Sequence, residues 1–167
     1  SRNIIREFTT INQPTLTLTR VGDDNYLMAY VHVPHDADIG DFITVTNSCQ
    51  IAGGVHIHDH ATLGLGATVH QRSTIGVGVM IAMGVAVSRD VPPYGTLGRV
   101  GIRGLNRFGM IRQGITKDQI LELEDWYRLV EGKKLEDELD DVSGRWWYEV
   151  MVKFVEQSSR SRYSPSI

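Results

Sequence analysis

An aliphatic residue recurs every six positions through the N-terminal half of this chain. The twelve positions run without interruption and are Val21, Leu27, Val33, Ile39, Val45, Ile51, Ile57, Leu63, Val69, Ile75, Ile81 and Val87. A helix repeats about every 3.6 residues and a half-buried strand every two, so neither produces this pattern. A triangular coil of three short strands does, with one hexad on each face. We therefore predict an all-β solenoid, a parallel β-helix in which residue n lies over residue n+18 at about 4.8 Å.

Small side chains accompany the repeat and fit the same prism. The fourth residue after each aliphatic is usually small or β-branched, with Asn25 as the main exception. The residue directly after the aliphatic is often Gly or Ala, as at Gly22, Gly40, Ala52, Gly64, Gly76 and Ala82. We interpret the fourth residue as filling the interior and the Gly or Ala as permitting the corner turn.

Breaks in the repeat divide the chain. We predict a β-helix over residues 1–93, from which residues 12–20 leave as a loop. The run Asp90-Val-Pro-Pro93 ends the coil because proline has no backbone N–H to donate to the hydrogen bonds between strands. Residues 94–156 are predicted as a small α-helical region, which includes a capping-box pattern at Thr116 and Gln119. Residues 157–167, rich in Ser and Arg, are predicted as a flexible tail. Since Ile5 and Ile11 already keep the six-residue spacing, we expect coils to be missing upstream of Ser1.

Composition limits the class of partner. The formal net charge of -3 argues against nucleic acid or an anionic membrane surface. The single cysteine, Cys49, and the lack of an apolar run of membrane-spanning length favour a cytoplasmic protein without membrane insertion. A solenoid has a thin core, so we expect several prisms to pack side by side, most simply as a homotrimer.

The eighteen-residue coil brings together residues that could do chemistry. His35, Gly53 and Gln71 are eighteen apart, so they should stack in one column, with Asp36 and Gly54 in the next. His35 is the candidate general base, and Gly53 can offer a backbone N–H to an oxyanion. Asp36 could orient or charge the site, although neighbours on a strand face opposite ways and such help would be indirect. His70 lies beside Gln71, and His32 is at the preceding corner.

A noncatalytic, structural role for these residues stays open. A histidine at a coil corner is more often solvated or structural than catalytic, and a corner glycine is usually a turn. The run His56-Ile-His-Asp-His60 has the alternation of a zinc site and would favour a hydratase. Because Ile57 must point inward, we expect these histidines to lie on the solvent side, with no metal bound.

Several stretches resemble one enzyme family. These are Leu27-Met-Ala-Tyr-Val-His-Val-Pro-His-Asp36, Ile51-Ala-Gly-Gly54, Ala67-Thr-Val-His-Gln71 and Asp90-Val-Pro-Pro-Tyr94. Together they resemble the UDP-N-acetylglucosamine O-acyltransferases of lipid A synthesis. The resemblance implies a left-handed β-helix, a homotrimer with active sites between subunits, and no cofactor. It also implies transfer of a 3-hydroxyacyl group from acyl carrier protein to the 3-hydroxyl of the nucleotide sugar.

The same resemblance implies residue roles. His35 takes the position of the general base, Asp36 stands beside it, and Gly53 takes the position of the oxyanion donor. Substrate-contact positions are occupied by His32, His70, Gln71 and Arg107. Met83 takes the position that measures acyl length, where a bulky side chain shortens the groove, so we expect a preference for shorter acyl chains. The structural alternative is that Met83 only fills the core.

The chain also departs from the family pattern. Gly54 replaces a substrate-contacting histidine, Phe108 replaces an arginine, and Arg103 replaces an acid. Alternatives therefore remain: a hexapeptide-repeat acyltransferase for another sugar or an amine, and a noncatalytic or zinc-dependent trimeric β-helix protein.

Overall fold

The chain coils into a left-handed parallel β-helix followed by a compact helical region. The computed structural model describes residues 2–158. Fourteen two-residue strands, β1 to β14, form the helix; they are Ile4–Ile5, Thr10–Ile11, Arg20–Val21, Tyr26–Leu27, His32–Val33, Asp38–Ile39, Thr44–Val45, Gln50–Ile51, His56–Ile57, Thr62–Leu63, Thr68–Val69, Thr74–Ile75, Met80–Ile81 and Ala86–Val87.

Every third strand belongs to the same face of the prism. Sheet A contains β1, β4, β7, β10 and β13; sheet B contains β2, β5, β8, β11 and β14; sheet C contains β3, β6, β9 and β12. All these strands pair in parallel, and Leu27 pairs with Val45, eighteen residues on. The predicted solenoid and its eighteen-residue register are confirmed.

The repeated aliphatics fill the interior of the prism. From Leu27 to Val87 the aliphatic positions are all at least 98% buried. Asn25, the exception among the small positions, is buried too, and its amide explains why. Its Nδ2 donates to the Gly40 carbonyl at 2.8 Å and its Oδ1 accepts from the Ile43 N–H at 2.7 Å. The side chain therefore links two coils by hydrogen bonds that an aliphatic could not make.

The corner turns do not depend on the Gly or Ala residues directly after each aliphatic, to which the sequence analysis attributed them. The left-handed backbone conformation occurs three residues after the aliphatic, at glycines such as Gly66 and also at residues such as Tyr30 and Phe42. Gly64, directly after an aliphatic, serves a different purpose. A Cβ there would lie 2.6 Å from the Met83 nitrogen of the next coil. The small residue thus permits close stacking of coils, and the prediction that it makes the turn is wrong.

Three corners separate the sheets, and one of them carries a loop. The A/B corner follows sheet A and includes residues 28–31, 46–49, 64–67 and 82–85. The B/C corner follows sheet B and includes residues 34–37, 52–55 and 70–73. The C/A corner includes residues 22–25, 40–43, 58–61 and 76–79. In the first coil, residues 12–19 leave the B/C corner as a loop, and β3 begins at Arg20, the last residue of the predicted loop.

The C-terminal region forms a second core on the last coils. Its elements are β15 (Gly95–Gly98), which continues sheet A, β16 (Gly101–Leu105), α1 (Arg107–Arg112), α2 (Lys117–Leu129) and α3 (Tyr148–Gln157), with short 3-10 turns at Leu135–Glu138 and Asp140–Val142. The predicted capping box is confirmed: Thr116 and Gln119 exchange hydrogen bonds at the start of α2. None of the helices within residues 2–158 is both long and apolar enough to cross a bilayer.

Helix α3 lies against sheet C through its last turn. The His58 Nε2 lies 2.5 Å from the Gln157 Oε1, and the Thr74 hydroxyl donates to the Gln157 carbonyl at 2.9 Å. Gln157, predicted as the start of a flexible tail, is therefore the last residue of an ordered helix. The rest of the predicted tail, residues 159–167, lies outside the described residues.

Candidate active site

A groove opens along the B/C corner where the loop 12–19 leaves the prism. It has a volume of about 520 Å³ and is called the base groove below. Its lining residues are Leu16, Thr17, Leu18, Arg20, His35, Asp36, Asp38, Gly53, Gly54, His56, Gln71 and Arg72. Of the predicted column, His35, Gly53 and Gln71 all line it.

The imidazole of His35 lies directly over Gly53. A Cβ on Gly53 would lie 2.6 Å from the His35 Cε1 and 2.7 Å from its Nε2. Glycine therefore leaves the space that the ring occupies. Within the described residues, the Gly53 N–H donates to no acceptor, although the Gly53 carbonyl accepts from the Arg72 N–H at 3.0 Å. The groove thus offers an imidazole nitrogen and a free backbone N–H side by side.

Asp36 contacts His35 directly. The distance from the His35 Nδ1 to the Asp36 Oδ2 is 2.8 Å, and the Asp36 side chain is 8% exposed whereas that of His35 is 47% exposed. Our expectation of indirect help is wrong for a geometric reason. Asp36 has a φ of 60° and sits at the corner rather than on a strand, so its carboxylate turns back toward its neighbour.

The loop 12–19 surrounds the carboxylate of Asp36. The backbone N–H groups of Thr15, Leu16 and Thr17 donate to its Oδ1 at 2.9, 2.9 and 2.8 Å. The Thr15 hydroxyl donates to Oδ2 at 2.5 Å. These donors, with the Thr15 hydroxyl first and the His35 ring second, hold the pKa of Asp36 far below its usual range. The carboxylate is ionised and acts only as an acceptor.

Charged side chains continue the base groove along the outer face of sheet C. Arg20 lies 3.6 Å from the Asp38 Oδ1, and the His56 Nδ1 lies 3.8 Å from its Oδ2. His56, and more weakly Arg20, lower the pKa of Asp38. On the next coil the stem of Arg72 crosses Gly54, with its Cγ 3.5 Å from the Cβ position there. The groove therefore holds cationic groups beside the imidazole.

Sequence reasoning did not anticipate several of these residues. The eighteen-residue spacing could have placed Arg72 over Gly54 and Asp38 over Arg20, because each pair is one coil apart. No signal pointed to Thr15, since the loop 12–19 has no period.

The remaining predicted contacts lie outside the base groove of a single chain. His70 lines an adjoining pocket that shares Gln71 and Arg72 with the groove. His32 lies on the outer face of sheet B, and its Nδ1 is 2.8 Å from the Thr10 hydroxyl oxygen. The structure thus places His70 in a pocket that adjoins the base groove and His32 on sheet B.

Arg107 and Met83 lie elsewhere on the molecule. Arg107 begins α1 and pairs with Glu124 of α2, both lining a pocket of about 400 Å³ in the C-terminal region. Met83 lies on the A/B corner and is 63% exposed, so it does not fill the core. A single chain does not bring either residue to His35.

The histidine run 56–60 spreads in different directions. His56 lines the base groove, His58 is 94% buried beneath α3, and His60 stacks on Phe42 at the C/A corner with ring centroids 5.0 Å apart. The expectation that these histidines lie on the solvent side is wrong for His58, because α3 covers it. Within residues 2–158, no three His, Cys, Asp or Glu side chains are grouped to hold a metal ion.

Comparisons with known proteins point in one direction. A family model described as UDP N-acetylglucosamine O-acyltransferase, domain 2, matches residues 90–162. A curated relative from Herminiimonas arsenicoxydans, named acyl-(acyl-carrier-protein)–UDP-N-acetylglucosamine O-acyltransferase, is 42% identical over 134 residues. That match covers 77% of this chain and 51% of the relative, so the chain spans about half the length of the curated relatives it matches.

Solved structures match over nearly the whole chain. A UDP-N-acetylglucosamine acyltransferase from Francisella novicida superposes with a TM-score of 0.87 at 32% identity, covering 97% of this chain and 63% of that one. A second crystal structure, of a UDP-N-acetylglucosamine acyltransferase, gives a TM-score of 0.85 at 35% identity, covering 99% of this chain and 68% of that one.

Proposed function

Since this chain belongs to the UDP-N-acetylglucosamine O-acyltransferase family, we propose that it transfers an acyl group from acyl carrier protein to UDP-N-acetylglucosamine or a related nucleotide sugar. The acceptor is the 3-hydroxyl of the sugar and the donor is a 3-hydroxyacyl thioester. The observation that supports this most directly is the ring of His35, which is fixed by Asp36 and lies over Gly53 in an open groove.

His35 is the proposed general base. Its Nδ1–H donates to Asp36, so the Nε2 lone pair is available on the groove side. Nε2 takes the proton of the sugar hydroxyl as that oxygen attacks the thioester carbonyl carbon. When the carbon–sulfur bond breaks, the leaving thiolate takes the proton from Nε2. The ionised Asp36 stabilises the imidazolium between these two steps.

Gly53 is the proposed oxyanion donor. Its N–H has no acceptor among the described residues and lies beside the imidazole, where the carbonyl oxygen would gain negative charge. A backbone N–H aimed at a developing oxyanion typically accelerates acyl transfer by about 10² to 10³.

Substrate contacts are proposed for His32, His70, Gln71 and Arg107. Gln71 and His70 lie on the base groove and its adjoining pocket, which supports contacts to the sugar nucleotide near the reacting hydroxyl. The cations Arg20 and Arg72 in the same groove suit a diphosphate. No cofactor or metal has a part in this reaction scheme.

A homotrimer is proposed as the working form. Phe8, Tyr30, Leu65 and Met83 all lie on or beside the A/B corner and are 69%, 56%, 52% and 63% exposed. Such an apolar strip favours burial against another copy. A neighbouring copy would also bring Met83 to a base groove from which it is separated within one chain. We further propose a cytoplasmic location, where acyl carrier protein would be the partner and the buried thiol of Cys49 would stay reduced.

One assay tests the proposed reaction. The purified chain is incubated with 3-hydroxyacyl acyl carrier protein and UDP-N-acetylglucosamine, and acylated sugar nucleotide is measured. We expect transfer by the native chain and at least about a hundredfold less by His35→Ala, because general-base catalysis typically contributes that much. The His35→Ala protein should keep its oligomeric mass. Undiminished transfer by His35→Ala would exclude His35 as the base.

A further inference from the structure

We propose that Thr15 is a positioning residue for the general base, and that the loop 12–19 exists to deliver its hydroxyl to the His35–Asp36 pair. This inference rests on the proposed role of His35. It concerns a residue to which neither the eighteen-residue repeat nor the family resemblance assigned a role.

The Thr15 side chain contacts both members of the pair at once. Its Oγ1 is 2.5 Å from the Asp36 Oδ2 and 3.0 Å from the His35 Nδ1. The distance from that Nδ1 to the Asp36 Oδ2 is 2.8 Å. Three polar atoms, one from each residue, therefore form a closed triangle behind the imidazole.

The protons in this triangle can be assigned. The ionised Asp36 can only accept, so the single hydroxyl proton of Thr15 goes to its Oδ2. The Thr15 oxygen then has lone pairs left, and the His35 Nδ1–H is shared between that oxygen and the carboxylate. This arrangement fixes the tautomer that leaves Nε2 unprotonated, which is the form a base needs.

The backbone of the loop holds Thr15 in place independently of its hydroxyl. The N–H groups of Thr15, Leu16 and Thr17 converge on the other oxygen, Oδ1, and the Thr19 hydroxyl accepts from the Asp36 N–H at 2.9 Å. Removing the Thr15 hydroxyl alone therefore leaves four contacts between the loop and Asp36. The loop should stay attached while the imidazole loses one of its two fixed acceptors.

Thr15→Val is the test, because valine is also β-branched and nearly equal in shape. We expect kcat to fall about tenfold, which is part of the roughly 10²- to 10⁴-fold that general-base catalysis contributes, while KM stays within about twofold. Thr15→Ser, which restores the hydroxyl, should recover most of the kcat. Nuclear magnetic resonance without substrate should show the His35 Nδ1 proton exchanging with water about tenfold faster in Thr15→Val than in the native chain.

Thr62→Val is the matched control. Thr62 lies on the outer face of β10 in sheet A, away from the base groove, and its substitution should change neither kcat nor the His35 signal. Native kcat and native proton exchange in Thr15→Val would overturn the proposal, as would an equal loss in Thr15→Ser. The resonance measurement needs no turnover, so an inactive native chain would count against the proposed function while leaving the role of Thr15 open to direct measurement.

Discussion

At the residue scale, the imidazole of His35 and the α-carbon of Gly53 lie on adjacent coils with no room for a methyl group between them. The eighteen-residue repeat made this pair predictable because stacking in a β-helix follows from spacing alone. The contact between His35 and Asp36 was not predictable in the same way. The alternation rule assumes a strand, whereas Asp36 occupies a left-handed corner.

Gly53→Ala should therefore impair catalysis more than folding. The added Cβ would meet the His35 Cε1 at 2.6 Å, so the ring must rotate away from its place beside the Gly53 N–H. We expect kcat to fall about 10- to 100-fold, since an ångström of misplacement has that order of effect. Thermal unfolding should change little because the ring can swing toward solvent.

Gly144→Ala provides the comparison for that measurement. No heavy atom lies within 4 Å of a Cβ at Gly144, so this variant should keep native kcat and native stability. If Gly53→Ala turned over at the native rate, the stacked arrangement would have no catalytic consequence.

At the element scale, one of the polar contacts that hold helix α3 against the prism is made by a buried histidine, His58. Met151 and Phe154 are spaced as residues on one face of a helix, and both are buried. What the helix covers could not be inferred, because helical spacing shows which face is apolar and nothing about its partner. The sequence therefore could not show that Phe154 and Gln157 cover His58.

Acid should weaken the fold through His58. Burial, the largest influence, lowers its pKa, Lys153 and His56 act in the same direction, and Gln157 and Asp59 oppose them. In the unfolded chain a histidine has a pKa of about 6.5. Between that pKa and the lower folded pKa, the unfolded chain therefore binds a proton at His58 that the folded chain does not bind. Stability should be full above the unfolded pKa and fall as the pH drops from about 6.5 toward the lower folded pKa.

Unfolding by urea at pH 7.5 and pH 5.5 would measure this effect. In His58→Gln the amide can still donate to the Gln157 Oε1 but does not titrate, so the difference between the two pH values should shrink. In His60→Gln, where the histidine stacks on Phe42 outside α3, the difference should stay as in the native chain. A His58→Gln protein that lost as much stability in acid as the native one would refute the assignment.

At the scale of the whole molecule, two features of the proposed acyl site lie on different corners of one prism. His35 is on the B/C corner and Met83 on the A/B corner. Periodicity predicted the prism but could not show which corner faces another copy, because each of the three corners carries exposed side chains.

Met83→Gly should change chain-length preference only if the two corners meet between copies. We expect the variant to accept longer acyl chains than the native protein, measured as kcat/KM over a series of acyl carrier protein thioesters. Val100→Gly, at an exposed position in the turn between β15 and β16, should leave the series unchanged. Sedimentation should give about three times the 18.7 kDa mass of the chain. An unchanged series for Met83→Gly, or a monomeric mass, would contradict this arrangement.

The coil register also determines how such a chain can change its length. Each coil contacts only the coils directly before and after it through its parallel ladders. Inserting eighteen residues between His35 and Gly53 would leave every downstream side chain on its own face of the prism. It would, however, place one extra coil between the general base and the oxyanion donor. Inserting six would rotate the rest of the prism by a third of a turn, so that Gly53 would stand at a different corner. Gain or loss of whole coils is therefore tolerable only after Gln71 or before the loop 12–19, where the column of three and the contacts of the loop with Asp36 are left intact.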